Sequence, residues 1–370
     1  MLKLKEMKNL KNKISILTLI LYLLSLGEWL KGRVVGVKVR RFCFFLFIIL
    51  INTNIAKAQD MHFTQFFSSP LYLNPAFTGA NVCSRFSTTY RNQWPGISKT
   101  YKSYLLSLDH YIPRYNMGIG LLFGNDAAGT GDLKTTIVNP MFAYEIKVNR
   151  KFSMRFGVQA GLGLKSINFN ALLFGDQIAR GGNVATLEIP TQTRTYFDIG
   201  AGALFYSTKY WIGSSVYHLT RPDVALMGNG EGMLPIKYSV HGGAKFPFNP
   251  KERNLYEQRS ISPAFNYRGQ KEFDQLDIGF YFTQYIMNIG IWYRGIPFLK
   301  AYKPGYSNND AIALIFGIQA DRLNFGYSYD ITISKLDNLS QGAHEVTLSY
   351  QLCKFKKKKK FRLIIPCPKF

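Results

Sequence analysis

From residue 84 onward, apolar and hydrophilic side chains alternate with a period of two, in segment after segment, almost to the end of the chain. Over 322–331, Leu323, Phe325, Tyr327, Tyr329 and Ile331 fall on one face; Arg322, Asn324, Gly326, Ser328 and Asp330 fall on the other. Over 152–164, Phe152, Met154, Phe156, Val158, Ala160, Leu162 and Leu164 alternate with Ser153, Arg155, Gly157, Gln159, Gly161 and Gly163. The same rhythm runs through 115–123 and 345–352. Such a pattern places successive side chains on opposite faces of a strand. A soluble sandwich alternates too, so three further features decide for the membrane. Several segments reach about ten residues, the length a tilted spanning strand needs. Aromatic residues recur near strand ends (Tyr90, Tyr104, Tyr111, Tyr144, Tyr206, Tyr210 and Tyr293), as interfacial girdles require. The second face is rich in Gly, Ser, Asn, Arg and Asp, which a dry sandwich core would exclude.

The expected fold is therefore all-β: a closed antiparallel transmembrane barrel of about fourteen strands, with a wet interior. The expected strands are 84–91, 101–111, 115–124, 134–147, 151–167, 195–206, 209–218, 236–246, 255–267, 273–283, 286–294, 310–319, 322–331 and 343–352. Tight joints are expected at 112–114, 148–150, 207–208, 284–285 and 320–321. Long ones are expected at 92–100, 125–133, 168–194, 219–235, 295–309 and 332–342, which fits short periplasmic turns against longer outer loops. The joints 247–254 and 268–272 break the rhythm. An even strand count puts both barrel ends at one rim, which predicts periplasmic N- and C-termini. Mean hydropathy is -0.06, far below that of a helical membrane protein and natural for strands that face lipid on one side only.

Net charge is +24, which would ordinarily raise nucleic-acid binding. The charge is concentrated at the ends. Residues 1–58 hold eleven Lys/Arg against two acids, and 354–370 hold eight and no acid. No nucleic-acid partner is expected. Lys38, Arg40 and Arg41 precede a short apolar run, Phe42 to Ile51, and Ala56-Lys57-Ala58 forms a small-x-small cleavage site before Gln59. This predicts a signal peptide over about 37–58 within a leader of 1–58. An earlier apolar run, Ile14 to Leu26, belongs to an upstream extension over 1–36 or to a retained anchor. Residues 59–82 form an N-terminal periplasmic or plug segment, with Asn74, Pro75 and Gly79 preventing a regular strand. The barrel spans 83–353, and 354–370 is a Lys-rich periplasmic tail.

The ordered motifs resemble those of the PorP/SprF family. They are Gln65–Gly79, Tyr90-Arg-Asn-Gln-Trp94, Gly213–Leu219, Gln275–Gly279, Gly290–Gly295, Gly326–Thr332, His344–Tyr350 and the tail ending Pro366-Cys-Pro-Lys-Phe370. The resemblance implies an outer-membrane barrel linked to type IX secretion and gliding motility in Bacteroidota. It implies as partners a secreted surface adhesin with a C-terminal sorting domain and periplasmic or peptidoglycan-linked secretion components. It carries over no catalytic residue. An Asn-Pro-Ala opening and fourteen strands are shared with fatty-acid transport barrels, so a hydrophobic or small-solute transporter is the alternative.

No enzyme, cofactor or metal site is expected. His62, His110, His218, His241 and His344 lie on separate segments without zinc spacing, and Asp109, Asp198 and Asp330 read as lumen polar groups. Candidate partner contacts are Lys356, Lys357, Lys358, Lys359 and Lys360, flanked by the apolar anchors Phe355, Phe361, Leu363, Ile364 and Ile365, which suit anionic outer-membrane lipid, peptidoglycan or an acidic partner. Asn74 and Pro75 are further candidates, as is the loop cluster holding Arg180, Arg194 and Arg221. Cleavage leaves Cys83, Cys353 and Cys367. Free thiols are the simpler expectation; a seam disulfide between Cys83 and Cys353, or one between Cys353 and Cys367, is the other.

Overall fold

A computed structural model describes residues 60–81, 83–97, 100–129, 131–182, 193–226, 232–249, 259–296, 301–303, 306–320, 322–334, 341–352 and 365–366. All of them belong to the unit Ala58–Phe370. The alternating segments become fourteen barrel strands. They are β1 (Ser84–Gln93), β2 (Tyr101–Ile112), β3 (Met117–Ala128), β4 (Leu133–Lys147), β5 (Phe152–Ser166), β6 (Thr193–Ser207) and β7 (Tyr210–Tyr217), then β8 (Lys237–Ala244), β9 (Arg259–Gln270), β10 (Phe273–Gln284), β11 (Met287–Gly295), β12 (Asn309–Ala320), β13 (Leu323–Thr332) and β14 (Ala343–Leu352). Each pairs antiparallel with its sequence neighbours, and β1 closes on β14 from Ser84↔Leu352 to Gln93↔Ala343. The result is a closed 14-strand antiparallel barrel. A two-residue strand, Phe246–Pro247, prolongs the pairing of β8 with β9, and Ala301–Lys303 pairs with Tyr306–Ser307 in a separate ribbon. Closure leaves no strand edge and satisfies the backbone within the wall, which lipid demands.

The outer face is apolar. Leu106, Leu108, Ile119, Leu121, Phe142, Phe156, Val158, Leu162, Ile289, Ile291, Leu314 and Phe316 are among its exposed side chains. Burying one such side chain is worth about 1.5–3 kcal/mol, so a belt of them left in water would forfeit on the order of tens of kcal/mol. Lipid is the solvent this surface fits, and the protein is an integral outer-membrane protein. Among the described residues no helix is long and apolar enough to cross a membrane.

Several joints differ from expectation. The segment 125–133 is mostly strand, with four residues, 129–132, between β3 and β4. Its polar residues read as a loop because both faces turn polar near the barrel mouth: on the inner face Ser103 holds Asp126, and on the outer face Asn125 donates to Thr136. Between β9 and β10 only Lys271 and Glu272 intervene, with Lys271 at φ 57, a turn conformation that suits a tight hairpin. Two of the expected girdle tyrosines, Tyr111 and Tyr206, point inward and are 5% and 1% exposed. The interior is also drier than expected. Trp211, Tyr281, Trp292, Leu204 and Ile315 face the lumen and pack with Phe66, Phe67, Leu73, Ala76 and Phe77 of the N-terminal segment.

Candidate functional site

The lumen is occupied by the chain itself. Strand order gives the barrel two rims: one carries the start of β1 and the end of β14, and the other carries the joints 94–100, 167–192 and 218–236. Residues 60–81 run between them through the interior, beginning near the rim opposite the strand ends. At that rim the Asp60 carboxylate accepts from His218 Nε2 at 2.8 Å and Lys237 Nζ at 3.1 Å, while His218 Nδ1 meets Asp198 at 2.9 Å. Burial opposes ionisation of Asp60, but Lys237 and His218 overcome it and hold the carboxyl well below the usual range. Burial likewise disfavours the imidazolium of His218, yet Asp60 and Asp198 push it up to about 9.

A few residues deeper, Glu345 on β14 accepts from the Thr64 and Gln65 amides at 2.8 and 2.9 Å. The Thr64 hydroxyl donates to Asp330 at 2.7 Å and accepts from Arg91 and Arg294, each at 2.7 Å. Arg91 bridges Asp330 at 2.8 Å and Glu345 at 3.0 Å; Arg294 bridges Asp330 and Asp277, both at 3.0 Å. Arg268 pairs with Asp277 at 2.9 Å and touches His62. Three guanidinium groups thus meet three carboxylates. Charges taken out of water are tolerated when paired and hydrogen-bonded in this way.

The segment then forms a short helix, α1 (Pro70–Leu73), and a 3-10 turn at Pro75–Phe77. Asn74 caps that turn by accepting from the Ala76 amide at 2.8 Å, and its Nδ2 donates to the carbonyls of Ala203 and Ser214 at 3.0 and 2.9 Å. Those carbonyls belong to neighbouring strands, β6 and β7. Below, Arg155 donates to the carbonyls of Ala76 and Thr78 and pairs with Glu145, which also accepts from the Tyr206 hydroxyl at 2.9 Å. The Gly79 amide donates to Asp109 at 2.8 Å, and Arg85 holds the other oxygen of that carboxylate at 2.9 Å. The backbone of Pro75–Ala76 lies so close over Gly157, and that of Thr78 over Gly118, that neither position has room for a Cβ.

Asn74 is 0% exposed and Pro75 is buried, and both sit in the lumen against the wall. Asp109, Asp198 and Asp330 are lumen groups and each holds a basic partner. Among the described residues no cluster of His, Cys, Asp and Glu could hold a metal ion. Lys356 to Lys360, Ala56, Ala58, Cys353 and Cys367 lie outside the described residues. Ile365, beyond the Lys run, is 3% exposed and packs in the cluster with Phe66 and Trp292. Cys83 is disulfide-bonded, not free.

A lipid-facing barrel whose interior is packed by its own leading segment, with its wall charges paired among themselves, belongs with the outer-membrane secretion and transport barrels. The sequence matches the family described as "Type IX secretion system membrane protein PorP/SprF" over residues 55–350, and the chain belongs to that family. No curated protein matches. Among solved structures the chain is similar to the CymD monoaromatic hydrocarbon channel, at 11% identity over 80% of this chain and 95% of that one, with a TM-score of 0.45. It is similar to the P. putida toluene transporter TodX at 11% identity (78% and 95% covered, TM-score 0.43) and to the Ralstonia pickettii toluene transporter TbuX at 11% identity (77% and 93%, TM-score 0.42).

Proposed function

We propose that the protein is a plugged scaffold of type IX secretion and gliding motility, which supports export or surface attachment of a secreted adhesin bearing a C-terminal sorting domain. The observation that carries this reading is the filled lumen. Residues 60–81 are fixed to the wall along their length by the hydrogen bonds and ion pairs of Glu345, Asp330, Asn74 and Arg155. A barrel filled in this way offers partners its two rims. Family membership supplies the secretion context. The rim with the strand ends faces the periplasm in this reading, and the long joints face outward, the usual sense for such barrels. The solute-transport alternative would need the segment to leave.

Lys356–Lys360 serve this function as a periplasmic contact to anionic lipid or to a peptidoglycan-linked component. Because Ile365 is part of the lumen packing, deleting the whole tail would disturb the barrel; neutralising the five lysines to Gln isolates the charge. Affinity purification from membranes, with cross-linking, tests the proposal. A very large surface protein should co-purify with the wild type, and periplasmic components should be lost from the Gln variant. Recovery of neither partner class with a correctly folded barrel would refute the scaffold reading.

The seam disulfide is also proposed. Cys83 directly precedes β1, whose Ser84 pairs with Leu352, the last residue of β14, and Cys353 is the next residue in the sequence. Non-reduced peptide mapping should recover the Cys83–Cys353 cross-link; a Cys83–Cys367 peptide would replace it.

A further inference from the structure

Charge is divided unequally between the two rims. The joints at the strand-end rim are 113–116, 148–151, 208–209, 245–258, 285–286 and 321–322, and together they hold eight Lys/Arg against three acids. The joints at the opposite rim are 94–100, 129–132, 167–192, 218–236, 271–272, 296–308 and 333–342, and they hold seven Lys/Arg against seven acids. Pairing follows the same division. Near the opposite rim Asp132 meets Lys134, Asp176 meets Arg180 and Asp223 meets Arg194, at 2.5, 2.6 and 2.9 Å. At the strand-end rim Arg114, Lys147, Arg150, Lys151, Lys209 and Arg259 are exposed, and none of them is ion-paired within the chain. Cations gathered at one edge without acids repel one another, and an anionic surface relieves that repulsion.

Exposed aromatic rings stand beside these cations. Arg114 lies over the Tyr115 ring at 5.5 Å; Arg259 lies over that of Tyr285 at 5.3 Å and donates to its hydroxyl at 2.8 Å. Lys151 precedes Phe152, and Lys209 precedes Tyr210. All four rings are exposed. Aromatic side chains at the edge of an apolar belt mark the headgroup level of a bilayer, so the cations beside them meet lipid headgroups. The sites run round the wall from the β2–β3 joint through the β4–β5 and β6–β7 joints to β9 and the β10–β11 joint. A folded partner covers one patch of a rim, whereas a leaflet surrounds all of it. We propose that the strand-end rim is a binding collar for anionic phospholipid, its Arg and Lys side chains pairing with the phosphates of that leaflet. A guanidinium fork matches a phosphate with two parallel hydrogen bonds, and an ammonium adds a point charge. This collar is separate from the contact of Lys356–Lys360, and it rests on the lipid-facing belt rather than on the secretion reading.

The test is native mass spectrometry of the protein purified from outer membranes in mild detergent. The probes are dioleoylphosphatidylglycerol and dioleoylphosphatidylcholine, which share their tails and differ in headgroup charge. One basic residue at an anionic surface is worth about fivefold in binding. The wild type should therefore retain the anionic lipid about tenfold better or more, and high salt should cut that preference by screening. Combining Arg150→Gln, Lys151→Gln and Lys209→Gln, all on exposed hairpin turns, should lower the preference about fivefold or more, with heat-modifiable migration still that of a folded barrel. A second variant removes the same charge near the opposite rim, through Lys102→Gln, Lys134→Gln and Lys271→Gln, and should keep the wild-type preference. Equal retention of the two lipids by the wild type would overturn the proposal. An equal fall in both variants would do the same, because net charge alone would then account for it. So would a strand-end variant that keeps its lipid preference; loss of an acidic protein from its membrane pull-downs would then assign the rim to that protein.

Discussion

Glu345 holds two consecutive backbone amides of the threaded segment and one guanidinium, all with side chains at or near zero exposure. Removing it leaves two amides unpartnered in the interior and takes from Arg91 one of its two carboxylate partners. Glu345→Ala should destabilise the barrel by about 3–5 kcal/mol, the usual consequence of breaking a buried pair on one side. Denaturant unfolding in detergent measures this; a loss below about 1 kcal/mol would show that the network is solvated. His218 gives the pH dependence. Its folded-state value is raised to about 9, so its ion pairs stabilise fully below the ordinary histidine value near 6.5. That contribution fades as pH rises through about 9. Amide exchange of Asp60–Thr64 should therefore rise between pH 7 and 10 beyond its intrinsic increase, and His218→Gln should abolish the excess.

At the scale of elements, the strands were legible because period-two alternation is imposed by geometry at every position. The pattern placed β2, β5, β13 and β14 within a residue or so. It failed where strands turn polar near the mouth, at Asn125 on the outer face and Asp126 on the inner one, because such residues look like loop. It also misassigned Tyr111 and Tyr206, since an aromatic residue near a strand end suits a lipid girdle and an inward hydrogen bond equally well. The threaded segment was half visible. Pro and Gly excluded a strand over 59–82, but nothing in a single sequence says which wall a segment touches. A signal was nevertheless present. Arg85, Arg91, Arg155, Arg268 and Arg294 and the acids Asp109, Glu145, Asp277, Asp330 and Glu345 all fall on inward positions, in equal number. Balanced charge inside a barrel points to a packed interior sooner than to a water-filled one. Gly157 tests the fit of the segment: with Pro75–Ala76 against it, Gly157→Val should cost about 1–3 kcal/mol by overpacking. Limited proteolysis should then cut within 60–81; an uncut segment would mean that the wall yields.

On the scale of the whole molecule, the barrel has an apolar belt outside and an interior largely filled by residues 60–81. The proposed scaffold role places function at the rims rather than the bore. Planar-bilayer recording of the purified mature protein tests this most directly. The account predicts insertion without conductance steps, and steps that appear once the segment is unseated by Glu345→Ala. Steady, porin-like conductance from the unaltered protein would contradict it.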